Sequence, residues 1–195
     1  SVVAPLSAVM SALVPTVAGM VGGERPGALG MVGILLALPA IVLISREPAP
    51  GDDEADRTPA TPRVIAAAAV SGVGFGLFFT FVSHTSEDSG LWPLAGARSA
   101  AILLALVVVA VSRPARPRAD GARLAMLTGC LDASGNALFL LASRQGLLTL
   151  VGVIGAMYPA STVVLARVVL GERLARHQLA GLAVAAGAVV LIAIA

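Results

Sequence analysis

The sequence has no lysine, one cysteine and two histidines, and these shortages exclude several kinds of protein. Without lysine, a retinal Schiff base cannot form. The single Cys130 excludes disulfides within the chain, paired thiols and cysteine-based metal sites. His84 and His177 lie far apart, and no His-Glu-x-x-His motif is present, which excludes a zinc metalloprotease of that type. We therefore expect no metal and no cofactor, and we do not expect an enzyme.

Charged residues are also scarce, whereas long apolar runs are abundant. Hydrophobic residues make up 57% of the chain and charged residues 12%, and the mean hydropathy is +0.93. These values are typical of a membrane protein. Because lipid cannot satisfy a free backbone amide, we predict an all-α membrane protein, a bundle of helices. Seven runs approach the length needed to cross about 30 Å of hydrocarbon: residues 2–21, 28–45, 64–82, 91–111, 124–143, 147–166 and 179–195.

The two ends of the chain resemble each other. When residues 1–44 are aligned with residues 149–192 at a constant offset of 148, about three positions in ten are identical, whereas composition alone would match about one in nine. We interpret each end as a copy of one hairpin, with an apolar helix, a Gly-Glu-Arg turn and a second apolar helix. The copies begin with the first and sixth spans. Because an odd number of crossings separates them, they face opposite ways in the bilayer.

This inverted duplication predicts the domain organisation. If residues 64–195 form a complete five-helix repeat, residues 1–45 are the last two helices of the first repeat, and the proline-rich, acidic residues 46–63 are a linker. We then expect three further helices, about 85 residues, before Ser1, so that seven of ten helices are present. The chain begins with Ser rather than Met, and no basic segment precedes the first span, which makes a signal peptide a poor interpretation.

Asp132, near the middle of the fifth span, is a carboxylate that could carry chemistry inside the bilayer. Asn136 follows one turn later on the same helix face. Arg98, near the start of the fourth span, would lie about 6 Å from Asp132 in depth if the two helices are antiparallel neighbours. A carboxylate at this depth is costly and usually faces a cavity or a partner. Asp132 therefore either binds a proton or cation on a substrate path or is a structural partner of Arg98. An intramembrane aspartyl protease needs two carboxylates within the membrane, and only Asp132 is available, so we do not expect this enzyme.

Aromatic and small residues mark two other spans. Phe75 and Phe79 lie one turn apart in the third span, where they line a substrate cavity or contact lipid and core. Gly72 and Gly76, in the same span, form a small-xxx-small pair that predicts close helix packing. In the sixth span, Tyr158 directly precedes a proline, and such a loosened backbone can expose carbonyls to a substrate. The alternative is that the hydroxyls after Tyr158 bond to their own preceding turn.

The Gly-Glu-Arg turn of each copy is predicted to be architectural. Glycine suits the C-terminus of one helix, glutamate favours the N-terminal dipole of the next, and arginine pairs or reaches the membrane interface. The turn residues are Gly23, Glu24 and Arg25 in the first copy and Gly171, Glu172 and Arg173 in the second.

In their order and spacing, these motifs resemble the EamA-type branch of the drug/metabolite transporter superfamily. The resemblance rests on Leu170-Gly171-Glu172-Arg173, on Gln178-Leu179-Ala180-Gly181, on Tyr158-Pro159, on Ala97-Arg98 and on Leu131-Asp132 with Asn136. It implies a carrier of ten helices in two inverted repeats, of which this chain lacks the first three. It also implies a central cavity onto which Phe75, Asp132, Asn136 and Tyr158 map.

Orientation in the membrane is left open by two opposing signals. The loops after the second, fourth and sixth spans hold most of the arginines, which by the positive-inside rule places these loops in the cytoplasm and the C-terminus outside. The resemblance implies both termini in the cytoplasm.

We therefore expect a secondary transporter that exports small metabolites, such as amino acids or drugs, across the cytoplasmic membrane. We expect it to contact the lipid bilayer and a small-molecule substrate and not to bind nucleic acid. Coupling of transport to protons is one option. The alternative is a non-transporting membrane subunit or a truncated, inactive product.

Overall fold

The computed structural model describes residues 3–46, 61–113 and 119–195. In these ranges all regular structure is helical, and seven helices are long and apolar enough to cross a membrane. The predicted all-α class and the seven spans are confirmed, with ends that differ by a few residues. Most of the linker predicted at 46–63 lies outside the described residues.

The elements follow the chain in a simple order. A short 3₁₀ turn, Glu87–Ser89, precedes the fourth helix, and a π-helical turn, Ala166–Leu170, continues the seventh. The helices are α1 Val3–Val21, α2 Ala28–Ser45, α3 Pro62–Ser83, α4 Trp92–Ser112, α5 Ala119–Gln145, α6 Leu148–Gly155, α7 Tyr158–Leu165 and α8 Arg176–Ala193.

These elements form two compact units. The first unit comprises Ser1–Thr80 and Gly146–Ala195, and so contains both ends of the chain. The second unit, Phe81–Gln145, contains α4 and α5. We call α1 with α2 the first hairpin, and α6, α7, the π-helical turn and α8 the second hairpin.

Packing of α2 against α8 is the main contact of the first unit. A Cβ on Gly33 would lie 2.6 Å from Ile192 Cγ1, and a Cβ on Gly181 would lie 2.8 Å from Ile44 Cγ1. The offset of 148 relates Gly33 to Gly181 and Ile44 to Ile192, so the two contacts are reciprocal, as in a two-fold symmetric interface. The early part of each helix meets the late part of the other, which means that α2 and α8 are antiparallel.

The first helices of the two hairpins, α1 and α6, also pack against each other. A Cβ on Gly152 would lie 2.7 Å from Pro15 Cγ, and a Cβ on Gly19 would lie 2.5 Å from Thr149 Oγ1, so α1 advances along α6 toward its start. These helices are therefore antiparallel as well. Both helix pairs have the antiparallel arrangement that inverted copies require, and the inverted duplication stays a prediction.

Small side chains make these close contacts possible. In lipid, helices associate through van der Waals contact between closely approaching backbones, which small residues permit. Alanines on the contacting faces of α2 and α8 are almost fully buried: Ala37, Ala40, Ala185 and Ala188. The predicted packing role of Gly72 and Gly76 is also confirmed, because α3 approaches α1 at both glycines.

The sixth span is not one continuous α-helix. It runs from Leu148 to Leu170 but breaks between α6 and α7. Pro159 has no amide hydrogen, so it cannot donate to the carbonyl of Gly155 four residues earlier, and the α-helical pattern stops there. A proline-loosened backbone at this position was predicted and is confirmed.

The second unit exposes most of its apolar surface. Within the α4 span, Trp92–Ser112, no residue of the most apolar window is buried, as expected for a helix that contacts lipid. The connection between α3 and α4 is held by Arg144 at the end of α5, whose Nη2 donates to the carbonyls of Ser86 (3.1 Å) and Gly90 (2.8 Å).

Candidate functional site

The second unit holds an ion pair between two membrane-spanning helices. Arg98, within two turns of the start of α4, donates from Nη2 to Asp132 Oδ2 in α5. Asn136, one turn after Asp132, donates from Nδ2 to the Asp132 carbonyl oxygen at 3.0 Å. The pairing with Arg98, which was the structural alternative for Asp132, is present. The structure thus brings three of the predicted site residues together.

The exposure of this pair bears on what it can do. The side chain of Arg98 is 44% exposed and that of Asp132 is 53% exposed. Ionised groups in the middle of a membrane are stable only when they pair or face water or another polar group. The pairing meets part of that requirement, and the exposed part of each side chain is available to a further polar partner. The arrangement offers one cationic and one anionic group side by side.

Phe75 and Phe79 lie in the first unit, on α3. Their ring centroids are 4.7 Å apart in an edge-to-face arrangement, which is favourable for aromatic pairs. Phe79 is buried, whereas Phe75 is 45% exposed. Phe79 therefore acts as core, and Phe75 presents an aromatic edge at the surface of the unit.

Tyr158 begins α7 at the break in the sixth span and is half-exposed. Its carbonyl accepts hydrogen bonds from Ser161 Oγ at 2.8 Å and Thr162 Oγ1 at 3.0 Å. The alternative prediction for these hydroxyls is confirmed, because they bond to their own preceding turn. They also line a groove of about 420 Å³ along the π-helical turn, whose other lining residues are Leu165, Ala166, Val169 and Leu170.

Both Gly-Glu-Arg turns use glycine for a left-handed backbone. Gly23 has φ of +96° and Gly171 has φ of +71°, which glycine adopts without a steric penalty. In the first copy, Arg25 Nη1 lies 3.2 Å from the Glu24 carbonyl oxygen and closes the turn. In the second copy that role passes to Arg167, whose Nη1 donates to the Glu172 carbonyl at 3.1 Å.

Glu24 makes the densest set of polar contacts in the first unit. Its carboxylate accepts hydrogen bonds from the amides of Leu148 (2.8 Å) and Thr149 (2.7 Å) and from the hydroxyl of Thr149. These amides open α6 and have no partner within that helix. From the sequence we expect the glutamate of each turn to interact with the N-terminus of the helix that follows it. This prediction is wrong for Glu24, which binds a helix more than a hundred residues away in the chain.

Two contacts were missed by sequence reasoning. Thr149 carried no signal of its own, because a hydroxyl at a helix start is common. His177 and Gln178, at the start of α8, both reach the carbonyl of Arg46 at the end of α2, at 3.2 and 3.4 Å. Because α2 and α8 are antiparallel, the start of α8 lies beside the end of α2, and the repeat could have predicted this contact.

Metal binding has no evident site in the described ranges, which contain no cluster of three His, Cys, Asp or Glu side chains.

A comparison with protein-family models matches residues 62–194 to the EamA-like transporter family. The match covers more than half of the chain. No curated protein matches the chain, and no solved structure does.

Proposed function

The chain belongs to the EamA-like transporter family, and from this we propose that it acts as a secondary transporter that exports small metabolites, such as amino acids or drugs, across the cytoplasmic membrane. We propose further that residues 64–195 form one five-helix repeat, that residues 1–45 are the last two helices of the other, and that residues 46–63 link them. The antiparallel packing of the two hairpins supports this arrangement, because inverted repeats are a common architecture of secondary transporters.

The observation that carries the proposal is the ion pair between Arg98 and Asp132. A charged side chain at the bilayer centre costs about 2.5–3.5 kcal/mol on insertion scales, so such residues are retained mainly where they function or pair. This pair leaves about half of each side chain uncovered.

The chemistry of the pair favours a solute that carries both charges or a proton. An amino acid could place its carboxylate on the Arg98 guanidinium and its ammonium on the Asp132 carboxylate, replacing one ion pair with two. A proton on Asp132 would instead remove its charge and free Arg98 for an anionic group. Asn136, one turn after Asp132 on the same helix, would supply an amide contact.

The test is transport in proteoliposomes that contain the whole chain. Efflux and uptake of radiolabelled amino acids and of ethidium are measured across a range of pH for the parent protein, for Asp132→Asn and for Arg98→Gln. Glu87→Gln, the same chemical change in the exposed turn before α4, is the matched control. We expect Asp132→Asn to lower flux by at least about tenfold, equivalent to the loss of one charge-assisted hydrogen bond, and to change its pH dependence.

One outcome would contradict this role for the pair. If flux is unchanged at every pH while thermal stability falls in both variants, Asp132 is a structural partner of Arg98 and not part of the transport path.

A further inference from the structure

The contact between Glu24 and the start of α6 joins the two hairpins at one end of the first unit. Glu24 lies in the turn between α1 and α2, and the three donors it accepts from belong to Leu148 and Thr149 of the second hairpin. The N-terminus of a helix carries partial positive charge, which favours a carboxylate. Thr149 is completely buried, and Leu148 is 4% exposed. The start of α6 is therefore closed to solvent at the place where Glu24 binds it.

Gly19 makes room for this carboxylate. A Cβ at position 19 would lie 2.5 Å from Thr149 Oγ1 and 2.9 Å from Glu24 Cδ, far inside normal contact distances. The Glu24 carboxylate is the end of a flexible side chain, whereas the Thr149 hydroxyl belongs to a stiff, buried one, so a larger residue at position 19 would displace the carboxylate first. Glu24 can lie over α1 and bind α6 only because position 19 has no side chain.

The second hairpin has the same turn but not this space. The offset of 148 relates Gly19 to Arg167 and Glu24 to Glu172, so a long side chain occupies the position that the first hairpin keeps empty. The backbone differs as well. The Glu24 amide donates to the carbonyl five residues earlier, whereas the Glu172 amide donates to the one six residues earlier, beyond a π-helical turn. Glu172 is exposed and lies at the far end of the sixth span from Glu24, about 30 Å away along that span.

We infer that Glu24 is a latch that closes one end of the contact between the hairpins. The inference rests on the proposed transport function. A carrier of inverted repeats opens its two ends in turn. Because Glu24 holds this end closed, it sets the bias between uptake and efflux.

The test measures opening directly with a cysteine reporter. In a Cys130→Ser background, which removes the native thiol, Leu148→Cys places a thiol at the buried start of α6 and keeps the backbone amide that Glu24 binds. Its rate of reaction with a water-soluble maleimide is measured in proteoliposomes. Glu24→Gln removes the charge, and Gly19→Ala displaces the carboxylate without changing it. We expect each to raise the labelling rate by about tenfold, the effect of losing one hydrogen bond to a charged group.

Glu172→Gln is the matched control and should leave the labelling rate within about twofold of the background, as expected for an exposed side chain away from the reporter. Thermal unfolding of each variant verifies that it is folded. The inference is overturned if Glu24→Gln and Gly19→Ala are both folded and neither raises the labelling rate. It is also overturned if Glu172→Gln raises the rate equally.

Flux in the same proteoliposomes separates this inference from the transport proposal. If the latch variants raise labelling but the parent protein moves none of the probes, the latch is supported and the transport proposal fails. If the parent protein transports, we expect both latch variants to shift the ratio of efflux to uptake and Glu172→Gln to leave it unchanged. An unshifted ratio would contradict the role of Glu24 in that bias.

Discussion

The two hairpins have the same packing face and the same Gly-Glu-Arg turn, but the two turns lie in different surroundings. Along α2 and α8, glycine, alanine and isoleucine recur at matching positions, and Gly33 meets Ile192 as Gly181 meets Ile44. At the turns, the Glu24 carboxylate binds the second hairpin, whereas the Glu172 side chain is exposed. The two copies share the packing face, and the surroundings of their turns differ.

The geometry explains this difference. In a two-fold contact, each residue of one copy packs against residues of the other, so a larger side chain at either copy disrupts the shared surface. The turns do not pack on each other. Each is free to change with its own surroundings, and the exchange of glycine for arginine between positions 19 and 167 alters only one end.

The largest expected effect would break the shared packing face. Gly33→Leu and Gly181→Leu should each lower the free energy of unfolding by about 3 kcal/mol, because overpacking of a closely packed contact costs up to that amount. Gly187→Leu, where an added Cβ meets no atom within 4 Å, is the control and should change stability little. Thermal unfolding in detergent measures all three. If only one of Gly33 and Gly181 proves sensitive, the contact is not two-fold.

A smaller effect would sharpen the difference between the turns. Glu24→Gln should lower the free energy of unfolding by about 2 kcal/mol, since hydrogen bonds to a charged group contribute 1.5–3 kcal/mol. Glu172→Gln should stay within about 0.5 kcal/mol, as surface substitutions usually do. Chemical denaturation of the two variants side by side tests this. Equal losses would mean that the two glutamates have the same role.

The smallest effect concerns the hydroxyl of Thr149. Thr149→Val keeps the shape but removes one donor to Glu24, and should cost about 1 kcal/mol. Combined with Glu24→Gln it should cost less than the sum of the two, because both changes remove the same hydrogen bond. Strict additivity in this double-mutant cycle would show that the hydroxyl and the carboxylate act independently.

Much of the fold could be predicted from the sequence, for a physical reason. Lipid allows few alternatives to a helix, so apolar length located all seven spans to within a few residues. The inverted relation of the hairpins required only the alignment of the two ends and the odd number of crossings between their first spans. The contact between Arg98 and Asp132 was one of two alternatives for Asp132, and it depended on α4 and α5 being antiparallel neighbours, since opposite charges at a similar depth tend to pair.

The remainder could not be predicted because it depends on contacts between distant residues. Glu24 precedes α2 in the chain, so local rules assign it to that helix. Its actual partner, α6, lies beside it only in the folded hairpins. The π-helical turn at Ala166–Leu170 has no sequence motif of its own. The sequence nonetheless indicates that the surroundings of the two turns differ, because the alignment places Gly19 opposite Arg167.

The measurement that tests the account most directly is the side of the membrane reached by each turn. Arg25→Cys and Arg173→Cys, at matching positions of the two exposed turns, are made singly in a Cys130→Ser background and labelled in oriented vesicles with a membrane-impermeant maleimide. If the hairpins are inverted copies, one cysteine reacts from outside and the other only after the vesicles are opened. Labelling of both from the same side would contradict the inverted arrangement, on which the two-fold contact and the transport proposal both depend.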